Sequence, residues 1–178
     1  MLISSLTGES QTAYVTNTVY DPSGRITTRA YGNNTQTEYD YYAWAQQGGR
    51  LAQIVSKRSL NHTFQKLSYV YDASGNVTSI TDAMAGSQIQ NFTYDNLDRL
   101  LSANAVGGEA ASQYSESYTY DSATGNLDTK TKGQTVYQYS YDPLHVHAVS
   151  LFSGGNVSNS YSYDDNGNIK ARTLNNIT

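Results

Sequence analysis

Two histidines, His145 and His147, are the first residues of this 178-residue sequence whose type and spacing suggest chemistry. On a β-strand both imidazoles would project from one face, where they could bind zinc. Asp142 is the nearest candidate for a third ligand, and the run Val146–Val149 has the pattern of an ordinary strand. We therefore predict a strand variant here and no metal site.

A second oxygen-rich segment, Asp164–Asn168, has the composition of a calcium-binding loop. It lacks the downstream glutamate of such loops, and its Asp–Gly–Asn spacing recurs elsewhere in the chain as a turn. The sequence has few residues suited to catalysis, because His62 has no acidic residue beside it and the glutamates form no catalytic pair. Cysteine is absent, which excludes thiol catalysis and iron–sulfur clusters. We expect neither an enzyme nor a bound cofactor.

Carbohydrate binding is the more serious alternative, because sugars stack on exposed aromatic rings flanked by polar residues. The best candidates for such contacts are Tyr41, Tyr42 and Trp44. The competing interpretation is that Tyr39 and Tyr41 belong to a ladder of neighbouring tyrosine rings and Trp44 packs under the loop 46–49. We favour packing, and keep a carbohydrate-binding adhesin module as the alternative function.

Charge and hydropathy exclude several kinds of partner. The chain has 11 Lys and Arg against 15 Asp and Glu, a net charge of −4, which does not suit a nucleic-acid-binding protein. No apolar stretch approaches the ~18 residues of a membrane-spanning helix. The first ten residues have neither the basic start nor the apolar run of a signal peptide.

An internal repeat dominates the sequence. The dipeptide Tyr-Asp occurs seven times, at a mean spacing near 24 residues. Five copies continue as Tyr-Asp, a short variable stretch, Gly or Asp, Arg or Asn, and an aliphatic residue; the copies at Tyr39 and Tyr141 are degenerate. The residues assigned to the repeat are Tyr20, Asp21, Gly24, Tyr39, Asp40, Gly49, Tyr71, Asp72, Gly75, Tyr94, Asp95, Tyr120, Asp121, Gly125, Tyr141, Asp142, Tyr163, Asp164 and Gly167.

Each part of the repeat has a physical role. Aromatic residues alternate with polar ones before each Tyr-Asp, which predicts a strand with its rings on one face. The Asp caps a turn, and the Gly supplies a left-handed residue; Asp98 takes this place in the fourth copy. An aliphatic residue then starts a second strand, so one repeat is a hairpin plus a connection. We expect the tyrosines to be mostly buried and to form a cohesive ladder of neighbouring rings.

This pattern resembles the Rhs/YD-repeat family, which includes shells of bacterial Rhs toxins, insecticidal toxin-complex components, wall-associated proteins and teneurins. The run Asp142–Val149 is similar to the "HAV" variant of that family. The resemblance implies an all-β fold of tandem hairpins in a single curved, spiralling antiparallel sheet, part of a hollow shell. It also implies a structural role without catalysis, within a secreted or cell-surface parent protein.

The organisation follows from the repeat. We predict an edge strand or partial repeat over residues 1–19, tandem repeats over 20–173 and a truncated repeat over 174–178. Unpaired strands near 3–14 and 170–177 would form two open sheet edges. The expected partners are therefore further repeats of a longer parent chain or further copies of this one, associating head to tail.

Overall fold

The computed structural model describes residues 5–8, 13–59 and 62–176. Its described residues form fifteen strands in one antiparallel sheet that follows the sequence order and does not close into a barrel, which confirms the predicted fold class. One short helix, α1 (Trp44–Gln47), and one 3₁₀ turn (Ala110–Ser112) interrupt the sheet. The strands are β1 (Leu6–Thr7), β2 (Ala13–Tyr20), β3 (Ile26–Tyr31), β4 (Gln36–Tyr41), β5 (Leu51–Ser59), β6 (His62–Tyr71), β7 (Val77–Asp82), β8 (Gln88–Tyr94), β9 (Leu100–Val106), β10 (Tyr114–Tyr120), β11 (Leu127–Lys132), β12 (Thr135–Tyr141), β13 (Val149–Gly154), β14 (Val157–Tyr163) and β15 (Ile169–Asn176).

The chain divides into two compact units. The first contains the described residues up to Asn91 together with Ala105–Gln113. The second contains Phe92–Asn104 and the described residues from Tyr114 onward. Both units are built from hairpins in which an even-numbered strand ends at a tyrosine, turns, and returns as an odd-numbered strand.

The same pairing register recurs between hairpins. Each odd-numbered strand pairs with the even-numbered strand that follows it. In these pairs, the third residue of the odd-numbered strand faces the residue that lies three positions before the tyrosine at the end of the even-numbered strand. The pairs are Thr28–Glu38, Gln53–Ser68, Ser79–Asn91, Thr129–Gln138 and Leu151–Ser160. Register in a sheet decides which face every side chain occupies, so this common register keeps equivalent residues on equivalent faces.

The sheet has little core. Among the described residues only two apolar side chains, Ala103 and Ala105, are buried, at 5% and 3% exposure. Strands β10 and β12 alternate between half-buried residues, most of them tyrosines, and exposed residues, most of them polar, as the period-two pattern predicts. Tyr71, Tyr120 and Tyr163 are partly buried, with more than half of the surface of each covered, which agrees with the expectation that the repeat tyrosines are mostly buried.

The residues predicted to be left-handed adopt positive φ values. Gly24, Gly75, Gly125 and Gly167 have φ of 81°, 104°, 76° and 81°, and Asp98 has 60°. The connections between hairpins are themselves tight turns; Gly155 and Asn156, for example, have φ of 57° and 63°. That pair of values suits a two-residue hairpin, so the chain reverses after nearly every strand.

Substitution of two of these glycines separates backbone strain from crowding. A methyl group at Gly24 would meet no atom within 4 Å, whereas one at Gly75 would lie 2.6 Å from Nη2 of Arg50. We expect Gly24→Ala to lower the free energy of unfolding by about 1–2 kcal/mol, the cost of a left-handed Cβ, and Gly75→Ala to lower it further. Urea denaturation measures both.

The control is Gly75→Ala in an Arg50→Ala background. Removal of the guanidinium removes the crowding, so the glycine substitution should then cost less than it does in the native background. Equal losses for Gly24→Ala and Gly75→Ala in the native background would contradict the crowding by Arg50.

Candidate functional site at the hairpin junctions

The turn after each repeat tyrosine is closed by the backbone. The N–H of the residue after the tyrosine donates to the carbonyl of the residue before the next strand. The donors and acceptors are Asp21 and Arg25, Tyr42 and Arg50, Asp72 and Asn76, Asp95 and Arg99, Asp121 and Asn126, Asp142 and Ala148, and Asp164 and Asn168, at 2.8–3.0 Å. Turns of five to nine residues thus share one closing bond.

The aspartate carboxylate organises the interior of the turn. Oδ1 of Asp95 accepts the N–H groups of Leu97 and Arg99 at 2.9 and 3.0 Å. Oδ1 of Asp164 similarly accepts the N–H groups of Asn166 and Asn168. The repeat has Asp at this position because its carboxylate can accept several N–H groups of the turn at once.

These hydrogen bonds favour the ionised carboxylate. The pKa of Asp95 lies below its ordinary value because it accepts the backbone N–H of Arg99 and lies beside the Arg99 guanidinium. The hydroxyl and backbone N–H of Thr124 lower the pKa of Asp121 in the same way. At Asp21 partial desolvation acts to raise the pKa, but the hydrogen bonds from Arg25 and Ser23 outweigh it.

The arginine that ends a turn joins it to the next hairpin. Nε of Arg25 donates to Oδ2 of Asp21 at 2.7 Å, and Nη1 donates to the Gly49 carbonyl, 24 residues on, at 2.6 Å. The guanidinium also lies 4.4 Å from the centre of the Tyr41 ring. Arg99 repeats this arrangement with Asp95 and with the ring of Tyr120, also at 4.4 Å. Each arginine is both an ion-pair and a cation–π partner.

The hydroxyl of the tyrosine that ends an even-numbered strand makes a second contact across the junction, the place where one hairpin meets the next. It donates to the carbonyl of the aliphatic residue that starts the preceding odd-numbered strand. The donors and acceptors are Tyr41 and Ile26, Tyr71 and Leu51, Tyr120 and Leu100, Tyr141 and Leu127, and Tyr163 and Val149, at 2.7–2.9 Å. Burial of these rings raises the pKa of Tyr71 and Tyr141, so the hydroxyls remain protonated donors.

In the second repeat, the structural tyrosine differs from the one that the dipeptide pattern assigns. Tyr39 and Asp40 lie within β4, and Asp40 is exposed there. Tyr41 makes the hydroxyl contact instead, and Tyr42 replaces the aspartate in closing the turn. The assignment of Tyr39 and Asp40 to the turn is therefore wrong, because the register that pairs Tyr41 with Leu51 decides which tyrosine ends the strand.

The strand predicted over Val146–Val149 is wrong up to Ala148, because His145 and His147 lie in the sixth turn and β13 starts only at Val149. His145 Nδ1 lies 3.1 Å from Oδ1 of Asp142, and its ring lies 6.0 Å from the Tyr163 ring. His147 points elsewhere, with Nδ1 2.7 Å from Oδ1 of Asn126. The two imidazoles therefore have different partners. No group of three or more His, Asp or Glu that could hold a metal occurs in the part of the chain that the structure describes.

The expected ladder of neighbouring tyrosine rings is wrong. Tyr120, Tyr141 and Tyr163 lie on alternate strands of the second unit and make no ring contact with one another. Strands are about 4.8 Å apart, so residues on alternate strands are about 9.6 Å apart, beyond the 4.5–7 Å of an aromatic pair. The arginine and the hydroxyl bond span this gap instead.

The three candidate sugar-binding residues separate into two groups. Tyr41 and Tyr42 are half-buried, and the Tyr42 hydroxyl donates to the Tyr69 carbonyl at 2.7 Å. Trp44 begins α1 and is 63% exposed, with the Arg25 guanidinium 5.0 Å from its ring. Of the three, Trp44 presents the open aromatic surface that a sugar needs.

Comparison with known protein sequences confirms the predicted family. A family model described as RHS Repeat matches residues 71–110. Over 69% of its length the chain is 32% identical to toxin subunit YenC1 of Yersinia entomophaga, and over 48% it is 32% identical to double-stranded DNA deaminase toxin A of Burkholderia cenocepacia. It spans only 16% and 6% of the lengths of these relatives.

Solved structures show the same fold at lower identity. The Tc holotoxin pore of Photorhabdus luminescens, with a substituted TccC3, gives a TM-score of 0.62 at 19% identity, over 98% of this chain and 12% of that one. A crystal structure of TcdB2–TccC3 gives 0.61 at 19% identity, over 96% of this chain and 12% of that one. In both matches, the described hairpins have the same fold as one part of a much longer chain.

Removal of a single junction hydroxyl tests its contribution. Tyr141→Phe removes the hydroxyl that donates to the carbonyl of the half-buried Leu127. We expect it to lower the free energy of unfolding by about 1 kcal/mol. The matched control is Tyr139→Phe, on the same strand and face, where no hydroxyl bond to a strand carbonyl is lost. Denaturant titration should show a loss for Tyr141→Phe only; equal losses would contradict the junction contact.

The lowered aspartate pKa values predict acid sensitivity. A carboxylate with a lower pKa in the folded chain stabilises the fold above its unfolded pKa of about 3.9, and this contribution is lost as the pH falls through the folded value. We expect the melting temperature to be level between about pH 7 and 5 and to fall below about pH 4.

Asp95 and Asp40 provide the matched comparison for this pH dependence. Asp95→Asn removes a turn carboxylate with a lowered pKa, so it should reduce stability at neutral pH and flatten the acid decline. Asp40→Asn, at an exposed position of β4, should change neither. A melting temperature that stays level down to pH 2, or identical profiles for the two variants, would overturn this role of the turn carboxylates.

Proposed function

This chain is an RHS-repeat protein, and from that premise we propose that it is a non-catalytic structural segment of a toxin-shell or surface protein. Its hairpins would extend one β-shell or spiral, with residues 20–173 as the repeat array and 1–19 and 174–178 as its two ends. Of these ends, residues 1–4, 9–12 and 177–178 lie outside the described residues. The parent protein would be secreted or displayed at the cell surface.

The junction contacts are the observation that supports this proposal. In five hairpins, a tyrosine hydroxyl is held by the carbonyl at the start of the preceding odd-numbered strand. Repeat arrays of this kind derive their stability from contacts between neighbours, because one unit alone cannot bury its apolar face. Cohesion thus accounts for the recurring chemistry of the repeat.

The relatives support a shell in particular. The solved structures of similar fold are a Tc holotoxin pore and TcdB2–TccC3 complexes, and a sequence relative is a toxin subunit. In such a setting this chain would be one arc of a larger wall, and its partners would be further repeats of a longer chain or further copies of itself. Its net charge of −4 argues against nucleic acid as a partner. No helix within the described residues could cross a membrane.

A carbohydrate-binding adhesin module is the second candidate, and one observation favours it. Trp44 lies at the tip of the second turn with most of its indole surface in solvent. An indole that is 63% exposed and lies beside a guanidinium is a suitable platform for a sugar ring. The weakness of this candidate is that Tyr41 and Tyr42 are already engaged within the chain.

A glycan array with two proteins separates the two functions. The wild-type chain and Trp44→Ala are screened against the same glycans, and the scaffold proposal expects no binding that depends on Trp44. Trp44 lies outside the hydroxyl contacts that join the hairpins, so the variant should keep its fold, and circular dichroism checks this. Glycan binding that disappears in Trp44→Ala would overturn the purely structural assignment.

A further inference from the structure

Arg29 is a partly buried cation whose charge no described residue neutralises. It lies in β3, and more than half of its surface is covered. Its Nε is buried and has no hydrogen-bond acceptor, and none of the ion pairs among the described residues includes its guanidinium. Buried donors are almost always paired in folded proteins, so this guanidinium needs an explanation that the hairpin contacts do not supply.

The other hairpins show what the position of Arg29 usually holds. Arg29 is the fourth residue of its strand and faces the residue that lies two before the tyrosine at the end of the preceding strand. The pairs of this kind are Arg29–Thr18, Ile54–Tyr39, Ile80–Tyr69, Lys130–Tyr118 and Phe152–Tyr139. The first hairpin is the exception among these five, because it has the small side chain of Thr18 where the other four have a tyrosine.

Lys130 is the second basic residue in this set, and the structure shows what it binds. Nζ of Lys130 lies 3.0 Å from Oε2 of Glu116, and the Tyr118 hydroxyl donates to the same oxygen at 2.6 Å. The Tyr118 hydroxyl and the Lys130 ammonium hold the pKa of Glu116 below its usual range, and Glu116 raises the pKa of Lys130. A cation at this position is thus satisfied by one carboxylate that also accepts a tyrosine hydroxyl.

The first hairpin lacks that carboxylate. Glu116 faces Lys132, the sixth residue of β11, whereas Val15 faces Tyr31, the sixth residue of β3. An apolar side chain therefore takes the register position of the acid. The cation at the fourth position is kept, although nothing on the facing strand β2 can neutralise it.

The neighbouring strand β4 does not supply the acid either. Thr37 is the residue of β4 that faces Arg29, and Glu38 and Asp40 alternate with Thr37 along the strand. Side chains at alternate positions project from opposite faces of a sheet, so both acids project away from the guanidinium. Glu38 is already paired with Lys57, at 2.6 Å.

A tyrosine hydroxyl is nevertheless present near Arg29. Burial raises the pKa of Tyr39, the Tyr31 hydroxyl beside it raises this pKa further, and the positive charge of Arg29 acts to lower it. The first hairpin thus has the cation and the phenol hydroxyls that surround Glu116 in the later hairpin, without the acid itself.

We propose that Arg29 binds a carboxylate of another molecule, a small carboxylic acid or an acidic side chain of a polypeptide. The carboxylate would lie against the guanidinium and accept the hydroxyl of Tyr39 or Tyr31, as Glu116 accepts that of Tyr118. The planar fork of a guanidinium matches the two oxygens of a carboxylate with two parallel N–H bonds, which favours this ligand over a single-atom anion. The site is independent of the scaffold function, because Arg29 takes no part in the hydroxyl contacts that join the hairpins.

Nuclear magnetic resonance of the ¹⁵N-labelled chain tests this site. Propionate, which carries the carboxylate of a glutamate side chain, is titrated at constant ionic strength against propionamide, its uncharged isostere, and against chloride and sulfate. We expect propionate to shift the Arg29 Nε–H signal, identified as the signal lost in Arg29→Gln, together with the backbone amides of β3. The three comparison solutes should bind at least about ten-fold more weakly. Absence of a saturable shift with propionate, or an equal response to sulfate or propionamide, would overturn the carboxylate site.

Two capped tripeptides distinguish the source of the carboxylate. Acetyl-Ala-Glu-Ala-amide and acetyl-Ala-Gln-Ala-amide differ only in the charge of the central side chain. Tighter binding of the glutamate peptide than of propionate would assign the site to a polypeptide, and weaker or equal binding would assign it to a small acid. Equal binding of the two peptides would contradict recognition of a carboxylate.

Variants link the binding to Arg29. Arg29→Gln should abolish the propionate shifts of the β3 amides, whereas the matched control Arg58→Gln, at an exposed arginine of β5, should keep them. Shifts that persist in Arg29→Gln, or that disappear equally in both variants, would refute the assignment. Circular dichroism checks that both variants fold.

A third variant keeps Arg29 and supplies the acid within the chain. Val15→Glu places a carboxylate at the register position of Glu116. We expect it to shift the Arg29 Nε–H signal in the absence of ligand and to weaken the binding of propionate by about ten-fold, because the site is then occupied. Undiminished binding of propionate by Val15→Glu would contradict a site built like that of Lys130.

Discussion

The spacing of strands in a single-layered sheet is the constraint on which the rest of this structure depends. Strands lie about 4.8 Å apart, so equivalent residues of consecutive hairpins are separated by about 9.6 Å, too far for their rings to touch. A repeat without a second layer must therefore connect its hairpins through groups that reach across one strand. The tyrosine hydroxyl bond to a strand carbonyl and the arginine that lies over the next tyrosine both do so.

The same constraint explains how the turn tolerates variation. The position before the second strand needs a side chain that holds the aspartate of its own turn and extends towards the next hairpin. Arg25 and Arg99 do both. In the sixth turn this position is Ala148, and His145, three residues earlier, contacts Asp142 and the Tyr163 ring instead. Asn76 holds Asp72 without a charge. The glycine that follows in the next turn leaves room for these groups, which is why Gly75 lies directly against Arg50.

A chain held together in this way is suited to extension more than to catalysis. Its polar residues are used in turns and in cross-strand contacts such as the pair of Thr37 and Ser56 hydroxyls, 3.0 Å apart. The apolar residues that start its odd-numbered strands, such as Ile26 and Val77, are half-buried between neighbouring strands, so each hairpin depends on the next. Any strand without a neighbour is left exposed, and β15 shows this in every described side chain.

The sequence by itself determined the features that depend on neighbouring residues. Asp95 contacts Leu97 and Arg99, two and four residues away, and the left-handed Gly24 and Asp98 follow from the same short turns, so a repeating pattern is enough to predict them. Tertiary structure alone decided which groups bridge the hairpins. Arg25 reaches Gly49, and Tyr41 rather than Tyr39 ends its strand, because both outcomes depend on the pairing register between strands far apart in sequence. The spacing between strands, which no dipeptide pattern contains, likewise replaced the expected ladder of rings with hydroxyl and guanidinium contacts.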